Sequence, residues 1–272
     1  MKPIEAMAIE EDGAEPAFTE VVDQLAALLS KDDEPGSPYT PYLRAVHSGT
    51  RGYAQRVPGS LVPRLHDFLS RHEFHLFVLF DWRHDRFSNI REQFSLPLAL
   101  TQAVALREGL EHPKFRGKPS TMSVDFMLTN RNGGWAAVDF KEKKEASLPK
   151  TKTKMAIVSL ALNEAGVPHK VMTEDDIPMV FVRNIRFLRS LLLPFDPPPL
   201  GSSDLATVDC PLQQLLRAGR MTIFEAASTV SQATKLPVAR ISRACLWFIA
   251  NRRWKINLSE PVGPDYPLTF LA

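Results

Sequence analysis

Two aspartates and a lysine stand in a doubled phrase, Val124-Asp125-Phe126 and Val138-Asp139-Phe140-Lys141, with Asn132-Gly133-Gly134 between the copies. Carboxylate oxygens are what hard divalent ions take, and Mg²⁺ often needs only one or two of them from the protein. An ion so held neutralises charge on a phosphodiester and activates water for attack. A neighbouring lysine can orient that water and stabilise the charge that develops in the transition state. Asp125, Asp139 and Lys141 therefore carry the chemistry of a cation-binding nuclease site. The same charges would also suit the solvent side of a half-exposed hairpin, held by cross-strand pairing. The apolar company of both aspartates, Val124 to Leu128 and Trp135 to Phe140, speaks for burial, since a solvated strand alternates more evenly.

Positioning these groups requires a hairpin. Asn-Gly-Gly between two β-favouring runs is a strong short-range signal for one. A turn centred on residue 132 or 133 makes the strands antiparallel and brings Asp125 opposite Asp139, or nearly so. Because strand side chains alternate with period two, Asp139 and Lys141 share a face beside Asp125. Upstream, Leu65, Phe68, Leu69, His72, Leu76, Leu79 and Phe80 keep helical spacing and predict a helix over 63–82, with Glu73 on a neighbouring stripe. Residues 87–100 read as a strand, 121–129 and 135–140 as the hairpin, and 150–163 as a helix closed by Gly166. That helix is apolar almost all round from Met155 to Leu162, the mark of a buried crossover. A right-handed crossover lays the next strand, 167–172, parallel to that of Asp139.

Three stretches together resemble the PD-(D/E)xK nuclease superfamily, and within it the TnsA endonuclease subunits of heteromeric cut-and-paste transposases. They are Arg71-His72-Glu73-Phe74-His75, then Asn89-Ile90-Arg91-Glu92-Gln93-Phe94, and the doubled phrase itself. The resemblance covers roughly residues 50 to 180, and the C-terminal part fits more loosely. It implies a restriction-endonuclease-like mixed sheet flanked by helices, the element order being α-β-β-β-α-β. It also implies that Glu73 and Asp125 are ligands for Mg²⁺, with Mn²⁺ expected to substitute, and that Lys141 is the catalytic lysine. The position two before that lysine is commonly Glu or Gln in the family. Asp139 keeps a carboxylate there but shortens it by one methylene, which leaves open whether it reaches the ion directly or through water. By the same resemblance the partners are double-stranded DNA at transposon ends, a DDE-type transposase subunit that cuts and joins the 3′ ends, and an AAA+ ATPase regulator. The chain itself would cut the 5′ ends. Two alternatives remain, a catalytically degenerate nuclease-fold adaptor that binds DNA and a stand-alone restriction-type endonuclease.

Composition bounds the rest. At 272 residues, with 44% hydrophobic and 24% charged residues, the chain has the make-up of a soluble protein of about two domains. It has no apolar run long enough to span a bilayer and no leader-like N-terminus, so a cytoplasmic location is expected. Cys210 and Cys245 lack metal-ligand spacing and read as buried reduced thiols. The net charge of +2 hides a division: residues 1–36 hold ten acidic groups against Lys2 and Lys31, a net of −8, which leaves +10 for the remainder. A basic body favours a polyanionic partner. The acidic extension, 1–36, reads as solvated with one short helix near Val21 to Leu29.

Pro35-Gly36-Ser37-Pro38 separates that extension from a catalytic domain, 37–192, in which Arg51-Gly52-Tyr53 and Arg56 form a basic, aromatic-bearing segment. Lysines 141, 143, 144, 150, 152 and 154 crowd the link after the catalytic strand, and Lys143 and Lys144 are candidate contacts to a DNA backbone. His72 and His75 are three apart, not the four of a His-Glu-x-x-His zinc site, and His66 and His84 add no ligand pattern. A proline-rich linker, 193–204, precedes a C-terminal domain, 205–272. There Thr222-Ile223-Phe224-Glu225 predicts a capping box opening one helix, Val238 to Asn251 a second, and Trp254 to Leu258 a strand. Helix-turn-helix followed by a strand suggests a winged helix with Arg240 and Arg243 facing DNA, although a small helical docking domain fits as well.

Overall fold

A computed structural model describes residues 18–31, 39–45, 54–192, 198–219 and 221–271. By its contacts the chain divides into two compact units, Met1–Phe74 with Arg83–Glu174, and His75–Trp82 with Asp175–Ala272. The expected break at 35–38, the segment 51–53 and residues 1–17 and 32–36 of the acidic extension lie outside the described residues, as do 193–197 of the expected linker.

In the first unit, helix α1 (Phe18–Lys31) carries Val21, Leu25 and Leu29 four residues apart, and all three are buried in the main core with Leu100 and Val104. The short helix expected near Val21 to Leu29 is therefore formed, but it is packed into the core and not solvated as expected. The acidic residues of the stretch obscured a narrow apolar stripe, and burying each leucine contributes about 1.5–3 kcal/mol. Strands β1 (Gln55–Pro58) and β2 (Leu65–Phe68) then pair as an antiparallel hairpin. β2 falls where the sequence pattern predicts the start of a helix. Glu92 explains the difference: its carboxylate accepts the Asp67 backbone N–H at 2.9 Å, the Arg64 guanidinium at 2.6 and 2.8 Å, and the His66 ring at 2.8 Å. A tertiary acceptor thus claims the N–H that a helix would have used. These partners hold the Glu92 carboxyl down at about 2, more than offsetting the burial that opposes ionisation.

Helix α2 (Arg71–Trp82) starts six residues after Leu65, capped by Ser70, whose hydroxyl accepts the Glu73 N–H at 3.1 Å. Strand β3 (Phe87–Ser95) ends before Pro97, which cannot donate to a ladder, and Pro97 instead caps α3 (Leu98–Arg107). The expected strand over 87–100 is therefore too long, and a helix follows it. Strands β4 (Lys114–Phe115) and β5 (Lys118–Pro119) form a small exposed hairpin turning on Arg116 and Gly117, both at positive φ.

The main hairpin, β6 (Ser123–Asn130) and β7 (Trp135–Phe140), pairs Phe126 with Val138 and Leu128 with Ala136, the register expected from Asn-Gly-Gly. The four-residue α4 (Lys143–Ala146) and the crossover α5 (Pro149–Glu164) lead to β8 (His169–Met172), which runs parallel to β7. The sheet order is β3-β6-β7-β8, a mixed sheet flanked by helices, with Ile157, Val158, Ala161 and Leu162 of α5 buried in the core.

The second unit holds helices α6 (Met179–Ser190), α7 (Ser202–Arg217), α8 (Ile223–Thr234) and α9 (Val238–Ala250). The capping box is formed: Thr222 accepts the Glu225 N–H at 3.2 Å and Glu225 accepts the Thr222 N–H at 2.8 Å. On α9, Ile241, Cys245, Phe248 and Ile249 are buried as the spacing predicts. The expected strand over 254–258 is not formed; Ile256 makes only an isolated bridge to Phe270. Asn184 donates to the carbonyls of Leu258 and Glu260 at 2.8 and 2.6 Å and accepts the Val262 N–H, so a side chain takes up backbone groups there. Both cysteines are free, but only Cys245 is buried, its thiol pushed up to about 12 by desolvation; Cys210 is exposed. Among the described residues no helix is long and apolar enough to cross a membrane.

Candidate functional site

Five polar side chains of the first unit meet at the end of the sheet where β6 begins and β7 ends. The β6–β7 register, continued one pair past Phe126 and Val138, sets Asp125 against Asp139, as expected. Asp125 accepts the Phe140 N–H at 2.7 Å through Oδ2, which also lies 3.5 Å from Lys141 Nζ. Lys141 donates to the Phe140 carbonyl at 2.7 Å and stands 3.6 Å from Asp139 Oδ1. Glu73, in the first turn of α2, accepts the Leu69 N–H at 2.9 Å and is buried.

The fifth side chain is one to which sequence reasoning gave no role. Gln93 donates through Nε2 to Glu73 at 3.4 Å and to Asp125 at 3.2 Å, joining the two expected ligands. Its neighbours Glu92 and Phe94 pair with Phe126 and Val124, so Gln93 faces Asp125 across β3 and β6. Its φ is 49°, in the left-handed region that side chains other than glycine rarely adopt, and it is 3% exposed. Strain of this kind persists where surrounding structure enforces it, often at functional sites. The stretch Asn89 to Phe94 lies in the expected strand, but nothing in its letters signals the backbone hand at Gln93.

Electrostatics define what the cluster lacks. Burial, then the nearby charges of Asp139 and Glu73, push the Asp125 carboxyl up to about 7 against the pull of Lys141 and the Phe140 N–H. Burial likewise raises Glu73 above the usual carboxylate range. Burial works against the Lys141 ammonium, but Asp125, Asp139 and Glu145 outweigh it and raise its pKa. Three carboxylates thus share one close cation, and the site is short of positive charge. Among the described residues no three His, Cys, Asp or Glu side chains converge as a ready ion cage. Glu73 and Asp125 nevertheless supply the one or two carboxylates that Mg²⁺ needs when water fills its remaining positions, so the donor set fits that ion.

The other expected contacts are placed separately. Lys143 and Lys144 are exposed at the start of α4. Arg240 and Arg243 are exposed on α9 and, with Pro198 to Ser202, line an open cavity of about 590 Å³ in the second unit. Arg56 pairs with Asp67 at 3.5 Å. The histidines serve separate local contacts, His66 on Glu92, His72 stacked on Phe140 at 4.5 Å and His84 beside Ser60.

Sequence reasoning also passed over the β4–β5 hairpin. Lys114, Phe115, Arg116 and Lys118 are all exposed there, Phe115 to 67%, with the Arg116 guanidinium 5.3 Å from its ring centre. The hairpin leads into β6 shortly before Asp125, at the sheet end that bears the site. Three cations within five residues around Arg-Gly were the available signal.

A mixed sheet flanked by helices, with acidic side chains and a lysine at one end, is consistent with a nuclease-like fold. The chain is TnsA-like in sequence: it is 27% identical over 180 residues to the transposon Tn7 transposition protein TnsA of Escherichia coli. That similarity spans 65% of this chain and 66% of TnsA, just under two thirds of the relative's length. No family model matches the chain.

Proposed function

We propose that this chain is a Mg²⁺-dependent endodeoxyribonuclease that cuts the 5′ ends of a transposon within a heteromeric transposase. The observation that carries the proposal is the cluster itself, with Glu73 and Asp125 bridged by Gln93 and the pair Asp139 and Lys141 set beside them. The likeness to a transposition protein supports the setting. Glu73 and Asp125 would hold the ion, and Asp139, beside Lys141, would complete the catalytic group. Bound Mg²⁺ supplies charge neutralisation on the phosphodiester and lowers the pKa of a bound water. Lys141, kept cationic by its carboxylate neighbours, orients the attacking water and offsets charge that builds on the phosphoryl oxygens. The basic β4–β5 finger, with Lys143 and Lys144, would follow the backbone of duplex DNA toward the site. Arg240 and Arg243 would make a further contact from the second unit.

A DDE-type transposase subunit and an AAA+ regulator are the partners this reading requires, acting on DNA in the cytoplasm. The test is cleavage reconstituted with the transposase. Asp125→Ala and Lys141→Ala should each abolish 5′ cutting while far-UV circular dichroism and transposase binding stay intact. Normal cutting by both variants would refute the proposal.

A further inference from the structure

Asp139 is fastened from behind. Its Oδ2 lies 2.9 Å from His169 Nε2 on β8, and Ser159 Oγ of α5 lies 2.7 Å from the opposite ring nitrogen, Nδ1. The parallel register pairs Ala137 with His169, which puts the imidazole on the face that carries Asp139. The side chains of Asp139 and His169 are 2% and 1% exposed, so neither can turn to water for a missing partner.

We propose that His169 is a positioning residue that fixes Asp139 against Lys141, so that Asp139 serves the lysine and is not itself a metal ligand. The proposal rests on the nuclease reading above and deepens it. An ionised Asp139 can only accept, so Nε2 carries the hydrogen whether the ring is neutral or charged. Ser159 adapts, donating to a bare Nδ1 or accepting from a protonated one. One carboxylate oxygen is thus committed to the imidazole, and the other faces Lys141 Nζ at 3.6 Å. Turning Asp139 toward Glu73 and Asp125 would strip a buried imidazole N–H of its acceptor. The short aspartate side chain cannot keep that bond and also reach toward an ion as a glutamate would. The side chain that joins Glu73 to Asp125 is Gln93, not Asp139. Ser159, His169 and Asp139 also have the residue types of a nucleophilic triad. Here, however, the aspartate is shared with Lys141, and it and the ring are buried, which fits orientation of the lysine and not attack on a substrate.

The test uses the full chain and Mn²⁺ alone, with calorimetric affinity and the ¹⁵N resonance of the Lys141 ammonium as readouts. Asp125→Asn should weaken Mn²⁺ binding about tenfold or more, whereas Asp139→Asn and His169→Phe should stay within about threefold of wild type. Both of the latter should shift the Lys141 resonance, and His169→Gln, which keeps a donor near the Nε2 position, should restore it. If His169→Phe does not fold, Asp139→Asn and His169→Gln still decide the matter. Loss of Mn²⁺ binding by Asp139→Asn as deep as that of Asp125→Asn would overturn the proposal and leave the nuclease reading standing. An unmoved Lys141 resonance in Asp139→Asn would overturn it too. Mn²⁺ binding indifferent to Asp125→Asn would overturn both.

Discussion

The crowding of carboxylates at the sheet end should make the metal-free protein gain stability when Asp125 is replaced by asparagine. Burial and the charges of Asp139 and Glu73 raise the Asp125 pKa from an ordinary 3.8 to about 7. Each tenfold change in proton affinity is worth ~1.4 kcal/mol, so ionising this group in the folded state costs at most ~4 kcal/mol relative to the unfolded chain. The sign follows from a folded-state value that lies above the unfolded one. The favourable contribution is fully present below pH 3.8, where the group is protonated in both states, and it is lost as pH rises through about 7. Asparagine is neutral throughout and can still accept the Phe140 N–H, although it gives up the attraction of Lys141. The expected net gain is therefore about 1–3 kcal/mol at pH 8.5, or roughly 3–10 °C in Tm, shrinking toward zero near pH 4. Thermal melts of wild type and Asp125→Asn in a chelator, across that range, measure the difference directly. Mn²⁺ should then raise the Tm of wild type more than that of the variant. A variant no more stable than wild type at pH 8.5, or a difference that does not grow with pH, would refute the electrostatic account of the site.

Three further outcomes follow from other contacts. Glu92→Ala leaves Arg64, His66 and the Asp67 N–H without their shared acceptor and should cost about 3–5 kcal/mol in urea unfolding, with Glu92→Gln losing less. Leu25→Ala on α1 should cost about 2–5 kcal/mol, whereas a helix lying free of the core would lose almost nothing. Replacing Lys114, Arg116 and Lys118 together by alanine should weaken duplex DNA binding and reduce the slope of log affinity against log salt by up to about 3; an unchanged slope would remove the β4–β5 hairpin from the DNA surface.

The elements with local signals were legible in the sequence. Asn-Gly-Gly fixed both the turn and the register that opposes the two aspartates, because a two-faced buried hairpin tolerates no slip. The all-round apolar stretch of α5 and its closing glycine likewise gave the crossover and the parallel β8. Failures came where a distant partner overrode a local pattern. Helical spacing around Leu65 and Phe68 was real, yet Glu92, more than twenty residues away, drew that segment into a strand. Ser70 and Glu73 form a Ser-x-x-Glu start signal that marks the true beginning of α2. Pro97 was an available stop for β3. In the site, residue types and spacing pointed to Asp125, Asp139 and Lys141, and the family resemblance added Glu73, whereas Gln93 and His169 take their places through backbone hand and parallel pairing, neither of which is written in local spacing.

The left-handed backbone at Gln93 puts two selective pressures in opposition. Glycine would occupy that conformation without strain, and by ordinary estimates would spare the fold about 1 kcal/mol. It would also delete the amide that joins Glu73 to Asp125. A library sorted only for resistance to heat should therefore drift toward glycine at position 93, and one sorted for the proposed cleavage activity should retain glutamine. Sequencing the two survivor pools would show which of these demands has kept a strained residue in the middle of a strand.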